Sequence, residues 1–341
     1  MQDRRIEDLD LVELETEEEI RALAAFSSII HDEGVGVMTT ELALRHPEAD
    51  RMRWLVYKEK DSGDIVSTLC LLPWTFMYGS IPVPAGELGI VGTRKDWRNR
   101  GLIRGLTGRF NQILADEGYL VSMIQGIAYF YRQFGYEYAI PLETQVYLEF
   151  RHIAPSKKEA PVPGVSLRAA SESDIPFLMS SYETHIATFG ICARRSEAEW
   201  RFLLGPSMRT DYGADTYTIE TQEDSNRVQV GYCRIPRKGF GEALILGECS
   251  ELEGPLFPGL FRELMKMAVD REKPFIRVDL GPTHSAVKAA IDAGAMQADP
   301  YGWQIRISDA AGFLRRILPV LNARLAVSDF GGQSGIFIIN S

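Results

Sequence analysis

A chain of 341 residues is too long for one ordinary domain and fits two of roughly 150 residues plus a tail. Its formal net charge of −10 at pH 7 argues against nucleic acid as the main partner, while 45% hydrophobic and 25% charged residues are ordinary for a globular protein. Four cysteines without a CxxC pair, scattered histidines, no apolar leader at the start and no long apolar run set four expectations: reduced thiols, no metal, a cytoplasmic location and no membrane span.

Residues 10–15 alternate as a first strand. Thr16 with Glu19 makes a capping box ahead of Ile20, Leu23, Ala24, Phe26 and Ile30, an amphipathic helix ending near Gly34. A short second helix is predicted at 40–45, stopped by Pro47. Strands at 54–58 and 65–72 flank Lys60-Asp61-Ser62-Gly63, and strands at 75–78 and 81–83 flank Gly79-Ser80, both tight-turn sequences. Trp74, Phe76 and Tyr78 read as core packing, with an acceptor pocket as the alternative. The next strand carries Glu87, and strict alternation puts Glu87, Gly89 and Val91 on one face and Leu88 and Ile90 on the other.

The stretch 87–106 organises the chain. An apolar strand passes through a charged loop to Arg98-Asn99-Arg100-Gly101, and then Leu102, Ile103, Leu106, Phe110, Ile113 and Leu114 recur at helical spacing. A strand that turns into a helix presents unpaired N–H groups and the positive end of the helix dipole, which favour an anion. Arg98, Arg100 and Arg104 add positive charge there, and Gly101 removes a Cβ. A second strand at 119–125, a helical segment at 128–136 and a closing strand through Tyr147, Leu148 and Phe150 complete this half.

No GxxxxGK[ST] and no GxGxxG occurs. Arg98-Asn99-Arg100-Gly101-Leu102-Ile103 instead resembles the acyl-CoA motif of the GNAT N-acetyltransferases, Arg/Gln-x-x-Gly-x-Gly/Ala, departing from it at Ile103. Glu87, eleven residues before Arg98, stands where histone-acetyltransferase members carry a general base, and Phe130-Tyr131 with Gly135-Tyr136 resembles the segment carrying the general-acid tyrosine. The resemblance implies acetyl-CoA as cosubstrate, Glu87 as base and Tyr131 as acid. It also implies a cofactor seat of Ile90, Val91, Thr93, Arg98, Asn99, Arg100, Gly101, Leu102 and Ile103, no metal, and a small-molecule or peptide amine as acceptor. A solvated strand-end carboxylate and an aromatic core residue are the plain alternatives for Glu87 and Tyr131.

Residues 151–164 read as a linker, rich in Pro and Lys. From 165 to 307 the order repeats: a helix from Ser173, strands at 217–221, 228–235 and 242–249, a helix at 256–269, a strand at 275–280, a helix at 285–293 with Thr283 as its N-cap, and a last strand at 303–307. The counterpart of the Arg98 loop, Ser250-Glu251-Leu252-Glu253-Gly254-Pro255, is acidic, and Ala290 stands where the first half has Tyr131, so this copy is read as degenerate. Residues 308–341 hold a helix and an apolar strand at 335–339. Tandem halves with such a tail resemble the Eis (enhanced intracellular survival) group, whose third domain is sterol-carrier-like. The tail is then either the start of such a domain or a dimerisation element giving a homo-oligomer.

The expected fold class is therefore α/β (α+β), with two tandem GNAT-like domains at 1–150 and 165–307, each a mixed, largely antiparallel sheet flanked by helices. The expected function is direct acetyl transfer from acetyl-CoA to a primary amine in a ternary complex; a catalytically silent acyl-CoA-binding regulatory protein is the alternative.

Overall fold

The computed structural model describes residues 5–141, 144–153, 164–223, 226–239, 241–299 and 301–333. In the first half, Leu9–Leu14 form β1, Glu17–Ile30 α1, Glu33–Arg45 α2, Arg53–Glu59 β2, Ile65–Tyr78 β3 and Ile81–Thr93 β4. Leu102–Asp116 (α3), Val121–Ile124 (β5), Glu137–Pro141 (β6), Thr144–Leu148 (β7) and Phe150–Ile153 (α4) follow. The second half runs Val165–Ala169 (β8), Ile175–Ile186 (α5), Ile191–Ala193 (β9), Glu197–Leu204 (α6), Ala214–Glu223 (β10) and Asn226–Pro236 (β11). Then come Leu244–Leu246 (β12), Glu248–Cys249 (β13), Phe257–Asp270 (α7), Ile276–Leu280 (β14), Ser285–Asp292 (α8), Met296–Gln297 (β15), Gly302–Ile307 (β16) and Ala310–Ala326 (α9).

The mixed α/β architecture of sheets flanked by helices is as expected. Local signals landed where local physics decides. The Thr16–Glu19 capping box is formed in both directions, and the two hairpin turns hold Gly63 and Gly79 at φ 75° and 59°. The second helix is longer than expected, because Asp32 caps it through Val35 N–H and Gly34 and Gly36 lie inside it rather than stopping it. A Cβ on Gly36 would sit 1.9 Å from Ser28 Oγ and 2.7 Å from the Ala24 carbonyl, so α1 and α2 approach each other through that glycine. The four short strands expected between 65 and 93 are two long ones, β3 and β4, which carry Pro73, Pro82 and Pro84 within a continuous pairing.

Strand pairing departs from the expected division. The main sheet has the order β1-β2-β3-β4-β5-β16-β6, with β9 on β3; two further sheets run β13-β11-β10-β8 and β12-β14-β7-β15. The strand expected to close the first half, β7, pairs with β14 and β15, and the strand expected to close the second, β16, lies between β5 and β6. Each half has given its last strand to the other. The strand expected at 242–249 is also two, because the chain leaves β14 at Leu246 and joins β11 at Glu248.

Both faces of the main sheet are covered. Leu55, Leu69, Leu71 and Leu88 pack under Leu106, Phe110, Ile113 and Leu114 of α3, while Val56, Ile65 and Cys70 pack on the other face under Ile20, Leu23 and Phe26 of α1. The tail helix α9 joins this second face: Ile317 packs with Val83, Ala85 and Val121, and Arg316 Nε donates to the Pro82 carbonyl at 2.8 Å. Residues 154–163 of the expected linker and the expected strand at 335–339 lie outside the described residues. No helix among the described residues is long and apolar enough to cross a membrane.

Candidate active site

The strands β4 and β5 are parallel and paired only from Ala85–Glu87 to Val121–Met123. Beyond Glu87 the edge of β4 that faced β5 has no strand partner among the described residues. At the same level β4 bulges: Thr68 pairs with Gly92 and Cys70 with Gly89, so Ile90 and Val91 together oppose Leu69, and Ile90 takes φ 46°. The bulge overturns the expected alternation. Gly89 and Ile90 both face α1, against Cys70 and its surroundings, and Val91 joins Leu88 on the α3 face. A β-branched residue at positive φ is costly and persists only where the surroundings fix it.

The loop after β4 is built from its own polar groups. Thr93 Oγ1 lies 2.8 Å from Ser67 Oγ, and the Thr93 carbonyl accepts from Arg98 Nε at 3.2 Å. Trp97 is buried, donates to Glu59 Oε1 at 3.0 Å, and carries Arg100 over its ring at 5.4 Å. Asn99 and Gly101 are both left-handed, at φ 61° and 78°, and Gly101 O accepts the first helical bond, from Gly105 N. The N–H groups of Leu102, Ile103 and Arg104 precede that bond and form the open end of α3. A Cβ on Gly101 would meet nothing within 4 Å, so this glycine is needed for its backbone conformation rather than for space. Ile103, the departure from the motif, packs against the α3 core instead of the helix mouth, and Leu102 is buried with Leu9, Val66 and Trp97. The residues expected as a cofactor seat thus lie along one path, from the opened edge at Ile90 and Val91, through Thr93 and Arg98, to the start of α3.

Glu87 and Tyr131 flank the opening on opposite faces of the sheet. Glu87 shares the α1 face with its cross-strand partner Leu72, and its Oε2 accepts from Trp74 Nε1 at 2.8 Å. No cation pairs with it among the described residues. Burial pushes its carboxyl up from 4.5 to about 7, against the Trp74 hydrogen bond, which favours the charged form. Tyr131 sits in a 3₁₀ turn, Phe130–Phe134, on the α3 face, ringed by Phe130, Phe134 and Tyr136. Its ring lies against Gly126, where a Cβ would come within 2.2 Å. Burial pushes its hydroxyl well above the usual tyrosine value, and no described residue hydrogen-bonds it.

Sequence reading left Trp74 undecided, yet the signal was present. A tight turn at Gly79-Ser80 fixes the register of β3 on β4, pairing Trp74 with Ala85 and Leu72 with Glu87, so the indole and the carboxylate are diagonal neighbours.

The second half repeats the parting of strands without the chemistry. Glu248, where the chain has parted from β14 and joined β11, is held by Arg195 at 2.6 and 2.8 Å and by Tyr232 Oη at 2.7 Å, and Arg195 keeps its carboxyl down at about 2 despite burial. The N-cap of α8 is His284 rather than the expected Thr283: its Nδ1 accepts from Ala286 N at 3.0 Å. Its Nε2 lies 2.9 Å from the Cys249 carbonyl, which can only accept, so that nitrogen carries the proton. Although His185, Glu251 and His284 cluster within 4.8 Å, His284 therefore has no lone pair free for a metal.

The parallel strand pair thus opens beside the bare start of α3, with a carboxylate on one side and a tyrosine on the other. Residues 14–139 match the family model described as an acetyltransferase (GNAT) domain. In fold, the chain is similar to a probable N-acyltransferase from Enterococcus faecalis (TM-score 0.66, 13% identity, 90% of this chain and 75% of that one). It is also similar to Eis1 from Mycobacterium abscessus (0.55, 17%, 90% and 75%) and to a tandem GNAT protein from the clavulanic acid biosynthesis pathway (0.55, 14%, 88% and 99%). The fold is that of the tandem GNAT proteins. No curated protein matches the sequence.

Proposed function

We propose that this protein transfers an acetyl group from acetyl-CoA directly to a primary amine of a small molecule or peptide, both bound at once. The observation that carries this reading is the pair of groups at the opening: among the described residues, Glu87 has no counter-ion beside its Trp74 hydrogen bond and Tyr131 Oη has no hydrogen-bond partner. Acetyl-CoA supplies the activated acyl carbon and a thiol leaving group. The diphosphate is seated by the N–H groups at the start of α3 and by the turn from Arg98 to Ile103, with Thr93 and the edge at Ile90 and Val91 lining the way in.

An alkylammonium of pKa about 10 must lose a proton before it can attack, and Glu87, titrating near 7, takes it directly or through a water. A new N–C bond forms, the C–S bond breaks, the sulfur leaves with the electron pair, and the second proton shed by the nitrogen as it becomes an amide ends on that sulfur. The buried Tyr131 hydroxyl stays protonated through the working range and donates its hydrogen bond to that sulfur as charge develops. Four free cysteines, three of them buried, support the cytoplasmic location expected from the sequence.

The test is release of free thiol from acetyl-CoA with a panel of polyamines, aminoglycosides and lysine peptides. Amine-dependent release supports the reading. Tight acetyl-CoA binding with no release under any amine replaces it with the silent acyl-CoA-binding protein. A more local result is expected at the helix start. Gly101→Val forces a branched residue into a left-handed conformation at about 1–2 kcal/mol. The acetyl-CoA dissociation constant by calorimetry should therefore rise roughly 5–30-fold, with kcat at saturation little changed.

A further inference from the structure

We infer that the second half acts as a clamp on the first half's carboxylate: its strand β9 holds the end of β3, and β3 holds Trp74 on Glu87. The inference rests on the acetyl-transfer reading for its rate effects, but not for its geometry.

The edge of β3 explains the need. β2 covers that edge only as far as Leu71, while β3 continues to Tyr78. The indole that bonds Glu87 lies in the uncovered part. β9 takes over that edge, pairing Ala193 with Phe76, Cys192 with Met77 and Ile191 with Tyr78, and the Gly190 carbonyl accepts from Gly79 N at 3.1 Å. Trp74 is 38% exposed, and its ring stacks on Phe76 at 6.1 Å and 7°. An indole this open keeps its hydrogen bond only if its stacking partner is fixed, and Phe76 is fixed by Ala193.

The other end of the clamp is set in the second half's buried polar network. Tyr182 Oη donates to the Ala193 carbonyl at 2.6 Å, and Arg195, two residues on, lies over the Tyr182 ring at 4.3 Å while gripping Glu248 with both terminal nitrogens. Glu248, at the second half's own parted strands, thus anchors β9 where Glu87 is left free to titrate. The degenerate half keeps the scaffold of a transfer site and uses its carboxylate as a fastening.

Trp74 and Tyr182 are positioning residues, and their signature is the titration of Glu87. Other titratable groups near Glu87 do not interfere. Cys70 on β3 and Tyr212 from the loop before β10 are both held neutral by burial, and His31 at the end of α1 is pushed below its usual value.

The experiment follows the Glu87 carboxyl by NMR of glutamate-labelled full-length protein, assigned with Glu87→Gln, in the wild type, Trp74→Phe and Tyr182→Phe. Trp74→Phe keeps the stack on Phe76 and removes the N–H that favours the carboxylate. Its Glu87 midpoint should rise by about one pH unit, the size of one hydrogen bond to a charged group. The acidic limb of kcat/KM should move up with it, kcat/KM for the amine should fall about fivefold at pH 7, and acetyl-CoA affinity should stay put. Tyr182→Phe, in the other half of the chain, should move the midpoint in the same direction by a smaller amount. A wild-type midpoint in Trp74→Phe overturns the role of the indole, and a wild-type midpoint in Tyr182→Phe overturns the clamp. A midpoint that shifts in a protein with no turnover under any amine would sink the acetyl-transfer reading and leave the clamp standing.

Discussion

Glu87→Gln is expected to lower kcat for amine acetylation by roughly 10²–10⁴-fold, the usual contribution of a positioned base, and at the same time to make the protein more stable at pH 8. The two effects share one cause. Burial without a counter-ion raises the folded-state pKa of Glu87 from 4.5 to about 7, so the folded state binds this proton more tightly than the unfolded chain. Below about pH 4.5 both states are protonated and the group costs nothing. As pH rises toward 7 the unfolded state releases its proton first, and the cost grows to about 3 kcal/mol and then levels off. Glutamine cannot ionise, and its side-chain oxygen still accepts from Trp74 Nε1. Thermal melts should show the variant above the wild type at pH 8 and level with it at pH 4.5. A variant no more stable than the wild type at pH 8 would mean that the carboxylate has a counter-ion or ready access to water.

Tyr131→Phe is expected to lower kcat by roughly 10²-fold while leaving acetyl-CoA affinity within about twofold. Phenylalanine preserves the ring that packs among Phe130, Phe134 and Tyr136 and loses only a hydroxyl that no described residue uses. Stability should therefore hold, in contrast to Tyr136, whose hydroxyl lies 2.6 Å from Ser122 Oγ inside the core. Since the leaving sulfur is the group served, an acetyl thioester of a more acidic thiol should recover part of the lost rate. A loss that is the same for good and poor leaving groups would remove Tyr131 from the transfer step.

The part of the site that was legible in the sequence is the part made by neighbours in the chain. A capping box, a two-residue turn and the run Arg98-Asn99-Arg100-Gly101 before a helix each fix their geometry within a few residues, and each is found as read. The bulge at Ile90 was not legible, because nothing marks a branched residue for positive φ; the strain is imposed by Cys70 and Gly89 pairing on one side and Thr68 and Gly92 on the other. α2 was read short because glycine weakens helices on average, whereas Gly36 is there for the close approach of α1. His284 as an N-cap lies outside the usual Ser, Thr, Asp and Asn set. Strand composition says that a segment pairs but not with which partner, so neither β7 nor β16 could be assigned to its sheet.

That exchange of strands reaches into biosynthesis. When the ribosome has made the first 150 residues, β6 still has no neighbour, because the strand that joins it to β5 is not translated until residue 307. The nascent first half must wait, with an open sheet edge, until residue 307 has been read. The first half therefore closes its sheet only once the second half has been made, and a fragment cut between its halves would expose two torn sheets rather than two smaller proteins.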